Sequence, residues 1–278
     1  AGSKSVSPES KSPPCSRSIR APPNPFLRRP LSVQSPRVST TSDATNASAP
    51  AALPARNTGW TLPGPYFNDE SIYRTDLDRV WRRGWLFAVH SCEIPRPGDF
   101  VTVEVGPDPI IVVRGDDGVV RAMHNVCRHR GSVICTEECG HTTKLICPYH
   151  QWAYGLDGRL IAWRGMQEEL RKEDFGLLRV HAEEVGGLVF VNLADHPVPF
   201  GPARECLAPL LKPQGFGRAK VAKAVDYLVK ANWKVVWENN RECYHCNVNH
   251  PQYIKANFDH YNSDDTSPRI REEMSALA

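Results

Sequence analysis

The chain has 278 residues, of which 41% are hydrophobic and 23% charged, and its formal net charge is +3. This composition is typical of a globular protein of one or two domains. The positive charge lies at the N-terminus, because residues 1–56 hold eight Lys or Arg and only Glu9 and Asp43 as acids. The remainder carries no basic footprint for nucleic acid, and no apolar run is long enough to span a bilayer. We therefore expect neither a nucleic-acid partner nor a membrane partner.

Residues 1–57 form a tail rich in Ser, Pro, Ala and Arg. The tail shows no apolar periodicity, so it cannot bury enough surface to order itself. An Arg- and Ser-rich, acid-poor leader is typical of an organellar transit peptide, and the alternative interpretation is a disordered extension or an artefact upstream of the true start. We expect a soluble, cytoplasmic protein, or one in the chloroplast stroma if the tail is a transit peptide.

The first predicted element is a helix over residues 68–88, with Asn68 as its N-cap. From residue 99 onward the apolar period changes to two, which indicates short strands. Turn signals lie at Asp117-Gly118 and Asp157-Gly158. The predicted strands lie in the stretches DFVTVEV, PIIVV, VVRAMHNV, WAYGLDGRLIA and GGLVFVNL. Together they predict a small antiparallel domain over residues 85–195.

A Pro-rich link begins at residue 196, and beyond it YLVKANWKVVWENNRECYHCNVNHP predicts a strand running into a helix that stops before Pro251. The predicted organisation is a tail (1–57), a helical segment of a second domain (58–84), the antiparallel domain (85–195) and a continuation of the second domain (196–278). The nine cysteines come without a secretory signal, which favours metal binding over a disulfide scaffold for the clustered ones.

Two segments each offer one Cys and one His, as Cys127-x-His129 and Cys147-x-x-His150. A structural zinc site usually pairs Cys with Cys and His with His along the chain, whereas both pairs here are mixed. Two facing loops can present both thiolates to one iron and both imidazoles to the other, which is the Rieske [2Fe–2S] arrangement. The motif, with Gly131 and Pro148, resembles the Rieske family, and a zinc site is the alternative.

Side chains around these ligands allow finer predictions. The quinol-oxidising Rieske type has one further cysteine in each loop. The residues that match those positions here look like Ser132 and Tyr149, neither of which is a cysteine. The pattern therefore resembles the oxygenase or ferredoxin branch. We predict that Trp152 packs over the cluster and limits water access, and the alternative is a plain core tryptophan. Arg128 and Arg130 would bring positive charge near the cluster, and the alternative is that they belong to a solvated loop.

The stretch RECYHCNVNHP offers a second candidate metal site. On a helix at about 100° per residue, Glu242 and His245 share one face, whereas Cys243 points to the opposite side. A zinc knuckle that uses both Cys243 and His245 is therefore unfavourable. We interpret Cys243 and Cys246 as packing residues. His245 and His250 would diverge by about 140° on an ideal helix, so the helix must end or deform between them to serve one ion.

Together the two motifs resemble the α subunit of Rieske non-haem iron oxygenases. The resemblance implies an α+β fold, with an antiparallel β Rieske [2Fe–2S] domain inserted in a partial helix-grip catalytic domain. It implies that Cys127, His129, Cys147 and His150 hold the cluster, and that His245 and His250 bind mononuclear non-haem Fe(II). Glu242 falls at the position of a carboxylate that bridges electron transfer between subunits, so a homotrimer is implied.

One departure concerns the third iron ligand, which in that family is a carboxylate far downstream. Asp259, Asp264 and Asp265 lie too close to the histidines to match it, so we expect that ligand to lie beyond residue 278. On this expectation the chain is a fragment or a truncated product.

The implied reaction uses O₂ and NAD(P)H electrons supplied by a flavin- or ferredoxin-type reductase to hydroxylate a small-molecule substrate. The motifs look most like the branch acting on quaternary ammonium compounds, such as glycine betaine and choline monooxygenases, where N-methyl hydroxylation leads to N-demethylation. Five aromatic residues near the histidines could form a cation cage, although core packing is the commoner role: Trp233, Trp237, Tyr253, Phe258 and Tyr261. The alternatives are an aromatic-ring-hydroxylating dioxygenase, a Rieske electron carrier without chemistry of its own, and a zinc-stabilised binding module.

Overall fold

The computed structural model describes residues 61–241 and 245–253, and for residues 247 and 248 only the backbone. These residues form two compact units. The larger unit is Glu70–Leu228, and the smaller one combines Leu62–Asp69 with the described residues from Val229 onward. The tail 1–57 lies outside the described residues, so its role stays a prediction. Within the described ranges no helix is long and apolar enough to cross a membrane.

Ten strands build the larger unit. They are β1 (Leu86–His90), β2 (Asp99–Val105), β3 (Asp108–Arg114), β4 (Val120–His124), β5 (Cys139–His141), β6 (Leu145–Ile146), β7 (Ala153–Tyr154), β8 (Leu160–Ala162), β9 (Arg179–Val185) and β10 (Leu188–Asn192). Seven of them form an antiparallel sheet in the order β1-β10-β9-β4-β3-β2-β5. The other three form a small sheet in the order β6-β7-β8. The predicted antiparallel domain is confirmed, although β1, β5, β6 and β9 carry no clear alternation in the sequence.

Strand β3 is buried on both faces, which explains its unbroken apolar sequence PIIVV. Ile111 and Val113 pack into the core that also holds Cys127 and Cys147, whereas Ile110 and Val112 pack into a second core on the opposite face. Successive side chains of a strand point to opposite faces, so one strand supports both cores. The first core therefore fixes the Cys–His segments directly onto the large sheet.

The predicted turns lie where the Asp-Gly pairs place them. Gly118 joins β3 to β4 with φ of 77°, and Gly158 joins β7 to β8 with φ of 84°. A side chain at Gly158 would meet the Met123 sulfur at 2.6 Å from its Cβ. Glycine is therefore required there for both its backbone angle and its small size.

The predicted helix over residues 68–88 is wrong in its extent. The structure has α1 (Pro65–Asn68), α2 (Glu70–Asp76) and a π-helical stretch (Leu77–Trp81). Asn68 ends α1 instead of capping a helix, because the backbone at Asp69 is extended. The C-terminal part of the predicted helix is strand β1, which pairs with β10 through Leu86 and Val191. Strand pairing outweighed the helical propensity of the sequence.

The predicted strand before the second motif is also wrong, because residues 219–231 have no regular structure. Tyr227 and Leu228 are 84% and 76% exposed, and in the described part of the chain no strand pairs with this segment. A β-strand needs a partner for its backbone groups, so a suitable sequence pattern alone does not form one.

Helices complete the described structure. They are α3 (Gly201–Leu211), which begins within the predicted Pro-rich link, α4 (Trp233–Arg241) and α5 (Cys246–Asn249). Short 3₁₀ turns occur at Ser91–Glu93, Lys172–Phe175 and Phe216–Arg218. As predicted, the helix ends before Pro251, because α5 ends at Asn249; residues 251–253 are helical again after the break at His250.

Candidate metal centres

The two Cys–His segments close into loops of the same backbone form. We name residues 127–132 loop L1 and residues 147–152 loop L2. In each loop the amide of the fifth residue donates to the cysteine carbonyl, and the cysteine amide donates to the carbonyl of the sixth residue. The four N···O distances are 3.0, 2.8, 3.0 and 2.9 Å for Gly131–Cys127, Cys127–Ser132, Gln151–Cys147 and Cys147–Trp152.

The fifth residue of each loop has a left-handed backbone, which reverses the chain after the histidine. Gly131 has φ of 72° and Gln151 has φ of 60°. Gln151 is the one residue other than glycine with a positive φ in the described part of the chain. An L-residue in this conformation costs about 1–2 kcal/mol, so the loop geometry of L2 overrides a local preference.

Each loop sits at the tip of a short antiparallel pairing. The residue before the cysteine pairs with the residue six positions after it, as Val126 with Val133 in L1 and Ile146 with Ala153 in L2. The two pairings hold the two cysteines at equivalent positions. L1 and L2 therefore have the same backbone structure.

The four predicted ligands divide by burial. Cys127 and Cys147 are 3% and 2% exposed, whereas His129 is half-buried and His150 is exposed. The two imidazole rings lie 4.7 Å apart between centroids, at 75° to each other. The structure thus brings the thiols together inside and the imidazoles together at the surface.

The pKa values of Cys127 and His129 reflect their local surroundings. Burial raises the pKa of the Cys127 thiol, and the neighbouring Cys147 thiol adds to the increase, whereas a hydrogen bond with the Tyr154 hydroxyl opposes it. Burial lowers the pKa of His129, helped by the nearby His150 and Arg130. A low pKa favours the neutral imidazole, which is the form that binds a metal.

Tyr154 is a contact of this site that the sequence reasoning missed. Its hydroxyl oxygen lies 3.2 Å from the Cys127 sulfur and 3.1 Å from the backbone nitrogen of Arg128. Because it accepts from the Arg128 N–H, its own O–H is free to donate to the sulfur. Burial raises the pKa of Tyr154, so the hydroxyl keeps its proton. The alternation Trp152-Ala153-Tyr154 could have revealed it, since residues two apart in a strand share a face.

The Trp152 ring stacks on the His129 ring at 4.8 Å between centroids and 9°, which is consistent with the predicted packing over the cluster; that packing itself stays a prediction. Trp152 Nε1 and Arg128 Nε are both buried without a hydrogen-bond partner in the described residues. A buried N–H group without an acceptor costs about 1–3 kcal/mol. Arg130, by contrast, is exposed. The positive charge predicted near the ligands is therefore partly buried at Arg128.

This donor set fits a [2Fe–2S] cluster better than a single zinc ion. Zinc needs four donors around one point. Over residues 61–241 and 245–253, no three His, Cys, Asp or Glu side chains converge on one ion position. A Rieske cluster instead takes two thiolates on one iron and two imidazoles on the other. The buried Cys pair and the outer His pair match that group.

The second motif also brings its two histidines together. The rings of His245 and His250 lie 5.4 Å apart between centroids, at 79° to each other. They approach because His250 leaves the helix, with φ of −129° and ψ of 56°. Cys246 is 9% exposed, and its sulfur lies 3.8 Å from His245 Nε2. Glu242 and Cys243 lie outside the described residues, so their predicted roles stay predictions.

The predicted cation cage is described for three of its five residues. Lys234 Nζ lies 5.1 Å from the centroid of the Trp233 ring, and Arg241 Cζ lies 5.9 Å from the centroid of the Trp237 ring. Tyr253 is 48% exposed, whereas Phe258 and Tyr261 lie outside the described residues. Two of the candidate ring faces thus already carry a cation from the chain itself.

Comparison with known protein families assigns both regions. Residues 84–181 match the Rieske [2Fe-2S] domain, and residues 216–275 match the ring hydroxylating alpha subunit catalytic domain. The cofactors that these domains imply are the [2Fe–2S] cluster and a mononuclear non-haem iron. The first match contains all four predicted cluster ligands, and the second contains His245 and His250.

Individual proteins agree with this assignment. The glycine betaine monooxygenase oxygenase subunit of Chromohalobacter salexigens is 44% identical over 206 residues, which cover 74% of this chain and 46% of the relative. The crystal structure of the quaternary ammonium Rieske monooxygenase CntA in complex with substrate L-carnitine superposes with a TM-score of 0.65 at 30% identity, covering 70% of this chain and 57% of CntA. Naphthalene 1,2-dioxygenase from Rhodococcus sp., bound to indole, gives a TM-score of 0.62 at 29% identity, covering 72% of this chain and 48% of the dioxygenase.

The chain spans about half the length of the curated relatives that it matches. Within that span it holds a Rieske domain in the antiparallel sheet and part of a catalytic domain after it. The predicted α+β architecture and the predicted cofactors are confirmed by these matches. The chain belongs to the family of Rieske non-haem iron oxygenase α subunits.

Proposed function

We propose that this chain is part of the oxygenase component of a Rieske monooxygenase. The observation that carries the proposal is the pair of equivalent loops L1 and L2, which place two thiols inside and two imidazoles at the surface. A second supporting observation is the close approach of His245 and His250 in the region that matches the catalytic domain.

In the proposed assignment each residue has one task. Cys127 and Cys147 bind one iron of the cluster, and His129 and His150 bind the other. When bound, the cluster supplies single electrons and the mononuclear iron supplies the activation of O₂. Burial of the thiols excludes water from the inner half of the site, whereas the exposed edge of His150 allows electrons to leave toward an acceptor.

The proposed mononuclear iron ligands are His245 and His250, completed by a carboxylate to give the two-histidine, one-carboxylate set. The end of α5 at Asn249 allows both rings to face one ion, which an unbroken helix would prevent. We propose Glu242 as the bridge that links a cluster histidine of one subunit to the iron site of the next. That arrangement requires a homotrimer.

The proposed substrate is a small quaternary ammonium compound similar to glycine betaine. The support is the 44% identity to a glycine betaine monooxygenase oxygenase subunit. One O₂ and two electrons with two protons would convert an N-methyl group to an N-hydroxymethyl group and water. The N-hydroxymethyl product then releases formaldehyde, so the net reaction is N-demethylation. The two electrons come from NAD(P)H through a flavin- or ferredoxin-type reductase.

An aromatic-ring-hydroxylating dioxygenase is a second candidate, because naphthalene 1,2-dioxygenase from Rhodococcus sp. superposes almost as well as CntA. A Rieske electron carrier is a third candidate. It would have a cluster but no chemistry of its own, and the second histidine pair argues against it.

Metal analysis and spectroscopy test the proposal first. Anaerobically purified, dithionite-reduced protein should give a rhombic Rieske signal by low-temperature EPR, with about two irons in the cluster. A silent spectrum with bound zinc and no iron would overturn it. The substrate is then tested with the full oxygenase and a reductase. Formaldehyde release from glycine betaine supports N-demethylation, a cis-diol from naphthalene supports the second candidate, and a Rieske signal without either product supports the electron carrier.

A further inference from the structure

The two histidines of loops L1 and L2 differ in what covers their rings. His150 is exposed and contacts the Tyr149 ring at 3.9 Å, and that tyrosine is itself 60% exposed. His129 is half-buried and has its ring face covered by Trp152, which is 1% exposed. A redox partner can therefore contact His150 directly, whereas the covered face of His129 is reached through Trp152.

The stack on His129 continues to a third ring. The Trp152 ring lies 5.3 Å from the Trp163 ring between centroids, at 58°. Trp163 follows β8 and is half-buried, so the residue is partly accessible to solvent. We name His129, Trp152 and Trp163 the aromatic column. It connects a cluster ligand to the surface through two consecutive ring contacts.

Phe175 stands beside the column without extending it. Its ring lies 5.8 Å from Trp152 and 5.6 Å from Trp163. Phe175 therefore packs against both indoles from the side. It provides a natural comparison, because its loss disturbs the same packing while leaving the sequence of rings from His129 to Trp163 intact.

Simple core packing does not explain why an indole occupies position 152. The Trp152 N–H is buried without an acceptor in the described residues, which is unfavourable. A phenylalanine or leucine would fill a core without that cost. The feature that an indole adds here is an extended π-system lying parallel to the imidazole of His129.

We propose that the aromatic column is the route by which electrons enter the cluster, with Trp163 as the entry residue. The proposal rests on the proposed function, because it requires a [2Fe–2S] cluster on His129. One electron leaves a flavin or iron–sulfur donor and reduces the oxidised cluster to its one-electron-reduced state. Trp163 and Trp152 bridge the transfer and change oxidation state at neither step. Entry at Trp163 leaves His150 available as the exit.

A tethered photoreductant tests the route. A ruthenium tris-bipyridine is attached by azide–alkyne chemistry to p-azidophenylalanine at position 164, which avoids the native cysteines. Arg164 is exposed and adjoins Trp163 in sequence. Flash reduction then injects one electron, and the rate of cluster reduction is followed by its absorbance. Trp163→Leu should slow this rate several-fold, and Trp163→Phe, which retains a ring, should restore much of it.

Two controls separate a relay from a structural role. The same label at position 149, beside His150, should give a rate that Trp163→Leu leaves unchanged. Phe175→Leu with the label at position 164 should also leave the rate close to that of the parent. The midpoint potential and EPR spectrum of every variant should match the parent, because the relay residues bind no iron.

The outcomes are distinguishable. A normal EPR signal with an unchanged rate in Trp163→Leu overturns the column but leaves the proposed function standing. Equal slowing in Phe175→Leu and Trp163→Leu also overturns it, because packing would then explain the effect. If Trp163→Leu does not fold, Trp163→Phe decides: a measurably slower rate than the parent supports the column, and an unchanged rate overturns it. Absence of a Rieske EPR signal in the parent protein overturns both proposals.

Discussion

Loops L1 and L2 have the same backbone but different surroundings. Both close through the same two hydrogen bonds and both turn on a left-handed residue. L1 turns on a glycine, has a tyrosine hydroxyl near its cysteine and has its histidine covered by an indole. L2 turns on Gln151 and leaves His150 exposed. The shared backbone sets the positions of the proposed ligands, and the side chains around them differ between the two loops.

The largest expected effect comes from removing either of the two cysteines proposed as cluster ligands. Cys127→Ala and Cys147→Ala should each abolish the Rieske EPR signal and the bound iron, because each loop supplies half of the thiolates. Cys135→Ala is the matched control. Cys135 packs beside the same core, and burial raises its pKa to about 11, so it stays a neutral thiol. Its loss should leave the signal intact. A cluster surviving in either ligand variant would refute the equivalence of the loops.

The next effect concerns the segment between the loops. Strand β5 lies between L1 and L2 in the sequence, and His141 Nδ1 at its end lies 2.9 Å from Asp99 Oδ1. Asp99 is 6% exposed and also accepts three hydrogen bonds from Arg96. Asp99→Asn should lower the free energy of unfolding near neutral pH by about 1–3 kcal/mol, measured by urea unfolding.

The pH dependence of that loss follows from the pKa of Asp99. Burial raises this pKa, but hydrogen bonds from Arg96 and His141 outweigh burial and lower it below its ordinary value. Its stabilising contribution is therefore present above about pH 4 and is lost as pH falls through the folded-state pKa. The difference in free energy of unfolding between the parent and Asp99→Asn should therefore become smaller in acid. Asp117→Asn, on the exposed Arg121 pair, should give a smaller loss. An acid-independent gap would contradict the linkage.

The sequence indicated the four candidate ligands and placed Trp152 beside them, but it did not reveal the contacts of Tyr154 and Trp163, and the reason is physical. Cys127-x-His129 and Cys147-x-x-His150 are local patterns, so spacing reveals them. The contacts of Tyr154 and Trp163 depend on how β7 and β8 fold back on the large sheet, which spacing does not encode. Asp-Gly turns were predictable because glycine at positive φ is a local requirement. The strand at Leu86 was missed because its pairing with β10 spans about a hundred residues.

A smaller effect tests the tyrosine that distinguishes L1. Tyr154→Phe removes the hydroxyl that donates to the Cys127 sulfur. Reduction adds negative charge to the cluster and its thiolates, so this hydrogen bond is stronger in the reduced state. Its loss should lower the midpoint potential by about 40 mV, which corresponds to about 1 kcal/mol for one electron. A redox titration followed by EPR measures the shift. Tyr149→Phe, next to His150 in L2, should change the potential less. An unchanged or higher potential in Tyr154→Phe would count against this tuning.

The smallest expected effect comes from substituting the left-handed turn residue of each loop. Gln151 is exposed and adopts φ of 60°, so Gln151→Gly relieves backbone strain and loses little side-chain packing. The relief of about 1–2 kcal/mol is partly offset by the greater freedom of glycine in the unfolded chain, which leaves a gain of about 0.5–1 kcal/mol. Gly131→Ala should show the opposite sign, because it introduces the same strain into L1. Urea unfolding of the two variants against the parent compares them directly. If both variants were destabilised, the Gln151 side chain would be contributing contacts that outweigh its strain, and the loops would differ in backbone energetics as well as in surroundings.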